Sequence, residues 1–342
     1  MEVPTYRLPP EAIAQTPLER RDAARLLVAV DPAGTVEHRR VAELPALVGP
    51  GDVMVVNTSR VLPARLHLTK STGGRAEVLL LEQDGDGRWL ALVRPGRRLP
   101  PGTVLCAGHQ PAVEVGDRSG DGRRWVRLLP QPGEDPLATL QRVGSVPLPP
   151  YTTEPLLDPD RYQTVYADRP GSVAAPTAGL HLTPEVLAGC RAAGAEVVAV
   201  DLAVGLGTFR PVTAGRAEDH HMHGERYEIP EETIAACRDA RRVVAVGTTT
   251  VRALEAAAAT GQLQGRTELF IHGDYPFAVV DVLLTNFHQP RSTLLLLLEA
   301  FCGPRWRELY ATALDAGYRF LSFGDAMLVS RHRRRPAGPT DP

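Results

Sequence analysis

The densest run of proton-transfer groups in the chain is Asp219-His220-His221-Met222-His223-Gly224-Glu225, with three histidines and two carboxylates in seven positions. Such a run can serve two chemistries. A histidine or tuned carboxylate does general acid/base work near neutral pH, at about a hundred- to ten-thousandfold per group. The same residue types ligate metals. No second cluster with ligand spacing occurs in the chain, so proton transfer is preferred over a metal, and a purely structural cluster is the plain alternative.

A second concentration of signal is the loop Gly171–Leu182, which has no acid, Lys or Arg and is punctuated by Gly171, Pro176 and Gly179. Small side chains let a backbone come close to a ligand. The loop carries Thr177 and delivers His181 to Thr183-Pro184-Glu185, which reads as N-cap, first helical position and acidic first turn. A neutral loop entering a helix N-terminus suits an anionic or polar substrate. An ordinary connection with one hydrogen-bonded histidine is the other reading.

Further polar clusters sit where strands should end, a common place for ligand contacts in α/β proteins. Asn57-Thr58-Ser59-Arg60 follows an apolar run, and Arg60 and Arg65 could fork onto phosphate or carboxylate or be solvated turn residues. Gly205-Leu206-Gly207-Thr208-Phe209 allows close backbone approach, although this spacing alone is a weak signal. Gly247-Thr248-Thr249-Thr250 opens a helix whose N–H groups and hydroxyls can hold an anion, with Arg252 and Glu255 on one face and able to pair. Thr285-Asn286-Phe287-His288 and Ser322–Met327, with Asp325, complete the set; no Ser or Cys nucleophile signature, Walker loop or dinucleotide fingerprint appears.

The elements that must hold these clusters follow from periodicity. From residue 184 onward helix and strand alternate: helix 184–193, strand 196–202, helix 231–240, strand 243–246, helix 251–259, strands near 267–271 and 278–284, a helix from Ser292 and another through 316. This predicts an α/β layer with a mostly parallel sheet. Between 66 and 145 short β-like runs alternate with Gly/Asp/Pro turns, which predicts a small antiparallel β-barrel or sandwich rimmed by Arg94, Arg97, Arg98, Arg123, Arg124 and Arg127. The expected organisation is a discontinuous α/β domain (1–65 and 146–330), an inserted β-barrel domain (66–145) and a disordered basic tail (331–342). Arg20, Arg21 and Arg25 read as a solvated charged face. Tyr162 and Tyr166 share a helical spacing that suits packing or, more sharply, stacking on a base.

Composition narrows the class. The 342 residues carry a formal net charge of −2, so no global field advertises a nucleic acid, though a local basic face would suffice. The four cysteines form no CxxC pair, neither a disulfide framework nor a zinc spacing. No signal peptide is read at the N-terminus, and the apolar run Leu294–Leu298 is far too short for a membrane span. A reduced, cytoplasmic protein with no membrane partner is expected.

One resemblance gathers these motifs. Leu8-Pro9-Pro10-Glu11, Val61–Leu66, Arg161-Tyr162-Gln163-Thr164-Val165-Tyr166, Ala174–His181, Gly207-Thr208-Phe209, His220-x-Met222-His223-x-Glu225, Gly247-Thr248-Thr249 with Val251-Arg252, Thr285–His288 and Gly324–Leu328 run in order over about residues 5–329. The ordered set resembles the S-adenosylmethionine:tRNA ribosyltransferase-isomerase family of queuosine biosynthesis. The resemblance implies an α/β domain interrupted by a β-barrel. It implies that the ribosyl part of S-adenosylmethionine moves to an aminomethyl-deazaguanine at the tRNA wobble position, becoming the epoxycyclopentane of epoxyqueuosine as adenine and methionine leave. S-adenosylmethionine is then a substrate, and neither cofactor nor metal is implied. His220, His223 and Glu225 would carry proton transfer, with His181 and His288 as neighbours. Thr208, Thr248, Thr249 and Arg252 would hold the methionine or ribose end and Asn286 a base edge, with Arg60, Arg65, Tyr162, Gln163, Thr177, Phe209 and Asp325 also on the substrate side. A tRNA with a GUN anticodon and a monomeric enzyme are expected. The alternatives are the same chemistry on a free deazaguanine nucleoside or other acceptor, a metal-dependent hydrolase built on Asp219, His220 and His223, and a non-enzymatic RNA-binding module.

Overall fold

The computed structural model describes residues 2–31, 34–205, 212, 216–220, 222 and 224–332. The chain divides into two compact units, one of Met1–Ser59, Pro149–Arg169 and Ala175–Pro342, the other of Arg60–Leu148 and Pro170–Ala174. In the first, a sheet forms from β1 (Arg25–Ala29), β2 (Glu37–Arg40), β3 (Asp52–Asn57), β4 (Glu196–Leu202), β5 (Glu225–Glu228), β6 (Arg242–Val246), β7 (Gln264–Thr267), β8 (Val282–Asn286) and β9 (Ala326–Ser330). Their order is β7-β5-β4-β3-β6-β8-β9-β1-β2.

The neighbours β4-β3-β6-β8 are parallel throughout, and β9 is parallel to β1. The other four of the eight neighbouring pairs are antiparallel: β7 on β5, β5 on β4, β9 on β8, and β2 on β1. The expected mostly parallel sheet is therefore a mixed one. Helix–strand alternation sees only the parallel centre. The outer strands β2 (Glu-His-Arg-Arg), β5 (Glu-Arg-Tyr-Glu) and β7 (Gln-Gly-Arg-Thr) are polar and carry no buried apolar run. Side chains of β1, β3, β6, β8 and β9 fill the core under α1 (Pro184–Ala192), including Leu26, Met54, Val244, Leu284 and Leu328. The other α-helices of this unit are α2 (Glu231–Asp239), α3 (Thr248–Thr260), α4 (Thr293–Cys302) and α5 (Trp306–Asp315). No helix among the described residues is long and apolar enough to cross a membrane.

The amino edge of the sheet is fastened by Asp52, which is fully buried. Its carboxylate receives Arg242 Nε (3.0 Å) and Nη2 (2.5 Å), Arg241 Nη2 (2.9 Å) and the Gly49 N–H (3.0 Å). Asp52→Ala leaves Arg242 only the Leu47 carbonyl (3.0 Å) and leaves two guanidinium groups without their counter-ion. The expected loss is about 2–4 kcal/mol, with the partial exposure of both arginines keeping it below a fully buried case. Urea denaturation reads the loss.

The second unit is a closed antiparallel barrel of six strands: Arg65–Lys70, Arg75–Gln83, Trp89–Arg94, Arg124–Leu128, Gln110–Arg118 and Thr103–Ala107, closed by pairing of Thr69 with Cys106 and Lys70 with Leu105. Arg94, Arg97, Arg98 and Arg127 are exposed as expected of a rim. Arg124 is not: it is 3% exposed and donates to the carbonyls of Gly96 (3.1 Å), Gly116 (2.7 Å) and Leu99. A guanidinium offers five donors, so one buried arginine can close a turn that lacks strand partners.

Candidate active site

Because β3, β4, β6 and β8 run parallel, Asn57, Leu202, Val246 and Asn286 all end at one edge of the sheet. Two polar centres form there. The first is organised by Asn57, the last residue of a buried strand whose interior, Val53–Val56, is apolar. Its amide donates to the Leu202 carbonyl (3.0 Å) and to Thr249 Oγ1 (3.3 Å), and its Oδ1 accepts from Leu202 N (3.0 Å) and Ser59 N (3.1 Å). Asn57 thereby fixes the start of α3 relative to β4. Gly247 precedes that helix at φ 91°, a conformation open to glycine and strained for other residues, and it supplies no capping side chain. Thr248, Thr249 and Arg252 are buried in the first turns of α3.

Arg252 is 5% exposed. Its Nε donates to the Leu269 carbonyl (3.0 Å), its Nη1 pairs with Glu225 Oε2, and its Nη2 has no partner among the described residues. Glu225 Oε1 accepts from Gly205 N (2.8 Å). The helical-face pairing expected between Arg252 and Glu255 does not form. The Glu255 carboxylate instead accepts the N–H groups of Ala278 (2.8 Å), Val279 (3.0 Å) and Val280 (3.0 Å). A cavity borders this centre, with Met222, Phe270 and Ile271 among its walls. His220, half-buried, meets Phe270 edge-on at 5.4 Å, and Phe270 meets His272 at 4.6 Å.

The second centre is a chain from the glycine-punctuated loop to β8. Thr177 Oγ1 donates to Asn286 Oδ1 (2.8 Å), and Asn286 Nδ2 donates to His181 Nε2 (3.0 Å). The carbonyls of Leu321 (3.3 Å) and Asp325 (3.5 Å) also face that amide nitrogen. They fix the amide orientation, since a flip would set its oxygen against two other oxygens. His181 Nε2 is therefore an acceptor, and the ring proton is on Nδ1. The loop fits because Gly179 has no side chain: a Cβ there would collide with the Tyr166 hydroxyl.

Several expected site residues brace this edge. Asp325 accepts the N–H groups of Arg25 and Arg319, both at 2.8 Å. His288 shares a hydrogen bond with Thr285 Oγ1 (2.9 Å), its N–H donates to the Tyr310 hydroxyl (2.8 Å), and its carbonyl accepts from Tyr6 (2.5 Å). Tyr162 is fully buried, edge-on to Phe323 at 5.8 Å. Gln163 offers its carbonyl to Arg21 Nη1 (2.8 Å), and Arg21 also donates to the carbonyls of Leu180 (3.1 Å) and Asp160 (2.8 Å). The solvated face expected of Arg20, Arg21 and Arg25 therefore reduces to Arg20. Arg25 donates to Ala316 O (2.7 Å) and stacks 3.8 Å over Tyr318. At the expected tail, Arg331 pairs with Asp281 (2.6 Å) and the His332 N–H donates to Phe301 O (2.9 Å), so both are tied down. Arg60, exposed, and Arg65, paired with Glu77 at 3.1 Å, belong to the barrel unit. His223, Thr208, Phe209 and tail residues 333–342 lie outside the described residues. Among the described residues, no three His, Cys, Asp or Glu side chains gather as a metal site.

Burial sets the protonation of both enclosed histidines. Desolvation, with Arg21 and Arg319 adding repulsion, pushes His181 from 6.5 down to about 4, and desolvation alone pushes His288 down to about 3. Both rings are neutral near pH 7. Between these values and 6.5 the unfolded chain binds protons that the folded chain refuses. Stability thus falls as pH drops below about 6.5, by on the order of 3–5 kcal/mol for each ring once the folded value is passed. His288→Gln should lower stability at pH 7 yet flatten this acid slope by about half, since one of two such groups is gone. Urea midpoints across pH 4–7 check it.

Comparison with known proteins assigns the lineage. The model of the queuosine biosynthesis protein family matches residues 2–329. A protein named S-adenosylmethionine:tRNA ribosyltransferase-isomerase from Rubrobacter xylanophilus is 52% identical over 326 residues, 95% of this chain and 96% of its own. One of the same name from Thermus thermophilus is 50% identical, over 96% of this chain and 99% of its own. The crystal structure of a Thermotoga maritima S-adenosylmethionine tRNA ribosyltransferase, 37% identical, covers 95% of this chain and 99% of its own at a TM-score of 0.54. With a match of this length and relatives of this similarity along almost all of both chains, the chain belongs to the queuosine biosynthesis protein family.

Proposed function

We propose that the protein transfers and isomerises the ribosyl moiety of S-adenosylmethionine onto 7-aminomethyl-7-deazaguanine at the wobble position of tRNAs with GUN anticodons. Epoxyqueuosine-tRNA forms, and adenine and methionine are released. The observation that carries this reading is the family match over residues 2–329 joined to two polar centres, one with the buried Arg252 and its open donor, the other with the neutral His181–Asn286 pair. The reaction needs a base to take the proton from the ribose carbon beside the sulfonium, an acid for departing adenine and a neutral aminomethyl nitrogen.

The geometry sorts the candidates for these tasks. Both oxygens of Glu225 are engaged, by Arg252 and by Gly205 N, so Glu225 is assigned to orienting Arg252 and not to proton removal. His288 is likewise enclosed by Thr285 and the aromatic cluster and is assigned to support. Proton transfer falls to His220 with His223, the latter on the sequence argument alone. Thr248, Thr249 and Arg252 take the methionine or ribose end, and the Thr177–Asn286–His181 chain faces a base. The exposed arginines of the barrel are the expected tRNA contacts, so binding should weaken with salt. The enzyme is taken to act as a cytoplasmic monomer without cofactor or metal.

The test is a product assay. Purified protein is incubated with S-adenosylmethionine and tRNA carrying the aminomethyl base, and adenine, methionine and the nucleoside mass are followed. Release of both small products with the matching mass gain is expected. Release only with a free nucleoside overturns the tRNA acceptor, and no release in any case overturns the reaction.

A further inference from the structure

The turn before β1 and the segment before the glycine-punctuated loop are laced together by two arginines that donate in opposite directions. Arg161 Nη1 donates to the Glu19 carbonyl (3.0 Å) and its Nη2 to the Leu18 carbonyl. Arg21 donates back, Nη2 to the Asp160 carbonyl (2.8 Å) and Nη1 to those of Gln163 (2.8 Å) and Leu180 (3.1 Å). The stretch Gln15–Arg20 has no helix or strand to satisfy its backbone, which is why side chains do so. Only Arg21 of the two bonds the His181 loop. The carbonyl it holds on Leu180 belongs to the same peptide as the His181 N–H, so the bond sets where the ring begins. Both arginines line one cavity with Leu180 and His181, and it has room for about one water, so these guanidiniums serve the protein and not a ligand. The other groups about the ring are Arg319, which donates to the Thr16 carbonyl, the buried Tyr166 hydroxyl against Gly179, and Asp325, whose carboxylate is taken by two backbone N–H groups.

We infer that Arg21 is a positioning residue for the reaction: its fork holds the Leu180 peptide against the 160–163 segment and so sets the His181 ring against Asn286. Its charge works in the same direction, since with Arg319 it opposes a proton on that ring. The assignment rests on the reaction proposed above, in which the Thr177–Asn286–His181 chain faces a base, and adds the residue that holds the chain in place.

Adenine release across pH and urea midpoints, measured on Arg21→Lys, Arg21→Gln, Arg161→Lys and the parent, test it. Arg21→Lys keeps the charge and loses the fork, so kcat should fall about tenfold or more while the KM for S-adenosylmethionine changes less than about threefold. Arg21→Gln loses fork and charge, so kcat should fall at least as far. Its acid limb, set by protonation of His181, should move upward further than that of Arg21→Lys. Arg161→Lys loosens the same two segments without touching Leu180, so it should lower the urea midpoint and leave kcat and the limb as in the parent. Parental kcat in Arg21→Lys, an equal loss of kcat in Arg161→Lys, or an unmoved limb in Arg21→Gln overturns the positioning role. Should the parent release no adenine with any acceptor, the reaction falls, and NMR titration of the His181 ring across pH 4–7 decides the clasp by itself. The ring should take its proton at higher pH in Arg21→Gln than in the parent, and coincident titrations overturn the assignment.

Discussion

Arg252→Met is expected to lower adenine release about a hundred- to thousandfold in kcat/KM, the scale for removing one charged partner from a desolvated contact. It is also expected to destabilise the fold by about 3–5 kcal/mol, because Glu225 is left buried with no counter-ion. These two effects have different origins, and a second substitution separates them. In Arg252→Met/Glu225→Gln the buried charge is gone, while the amide oxygen can still accept from Gly205 N, which lies 2.8 Å from Glu225 Oε1. Stability should return most of the way and activity should not. Recovery of both would make Arg252 a structural residue only. Urea midpoints and adenine release, measured on the two variants and the parent, give the answer.

That pairing also marks how far the sequence could be read. Arg252 and Glu255 are three apart on one helix, and the local rule makes them partners. The structure instead brings Glu225, twenty-seven positions away, to Arg252, and gives Glu255 to three consecutive backbone N–H groups. Local spacing is blind to strand pairing. The positions where polar clusters end strands were legible, since Asn57, Gly247 and Asn286 do share one sheet edge. The antiparallel barrel is legible in its turns, and in its strand Arg65–Lys70 Leu66 and Leu68 alternate inward as in a half-buried strand. The arginines were the least legible: Arg21, Arg25 and Arg124 carry a surface residue's composition but serve backbone carbonyls that no helix or strand satisfies. What composition registers as charge, the fold uses as multiple donors.

The chain Thr177–Asn286–His181 supports the second large effect. Asn286→Asp should lower turnover at least about a hundredfold near neutral pH, through a changed proton position and not a lost contact, the scale expected when an orienting partner imposes the wrong protonation. The native amide donates to His181 Nε2, and burial, with Arg21 and Arg319 adding repulsion, keeps the ring neutral down to about pH 4. A carboxylate in its place can only accept. It would face the Leu321 and Asp325 carbonyls, which now lie toward a donor, and it would draw a proton onto Nε2. His181 would then hold its charge to higher pH, opposing the desolvation that now lowers it. The acid limb of the rate profile should accordingly move upward toward neutrality. Thr177→Val is the control: it removes one donor to Asn286 Oδ1 and leaves the donation to His181 intact, so it should cost about tenfold or less and leave the limb in place. An Asn286→Asp variant with parental turnover and an unmoved acid limb would remove His181 from the mechanism. A loss of rate without the shift would reduce Asn286 to a contact residue, and the pH profile of both variants decides among these outcomes.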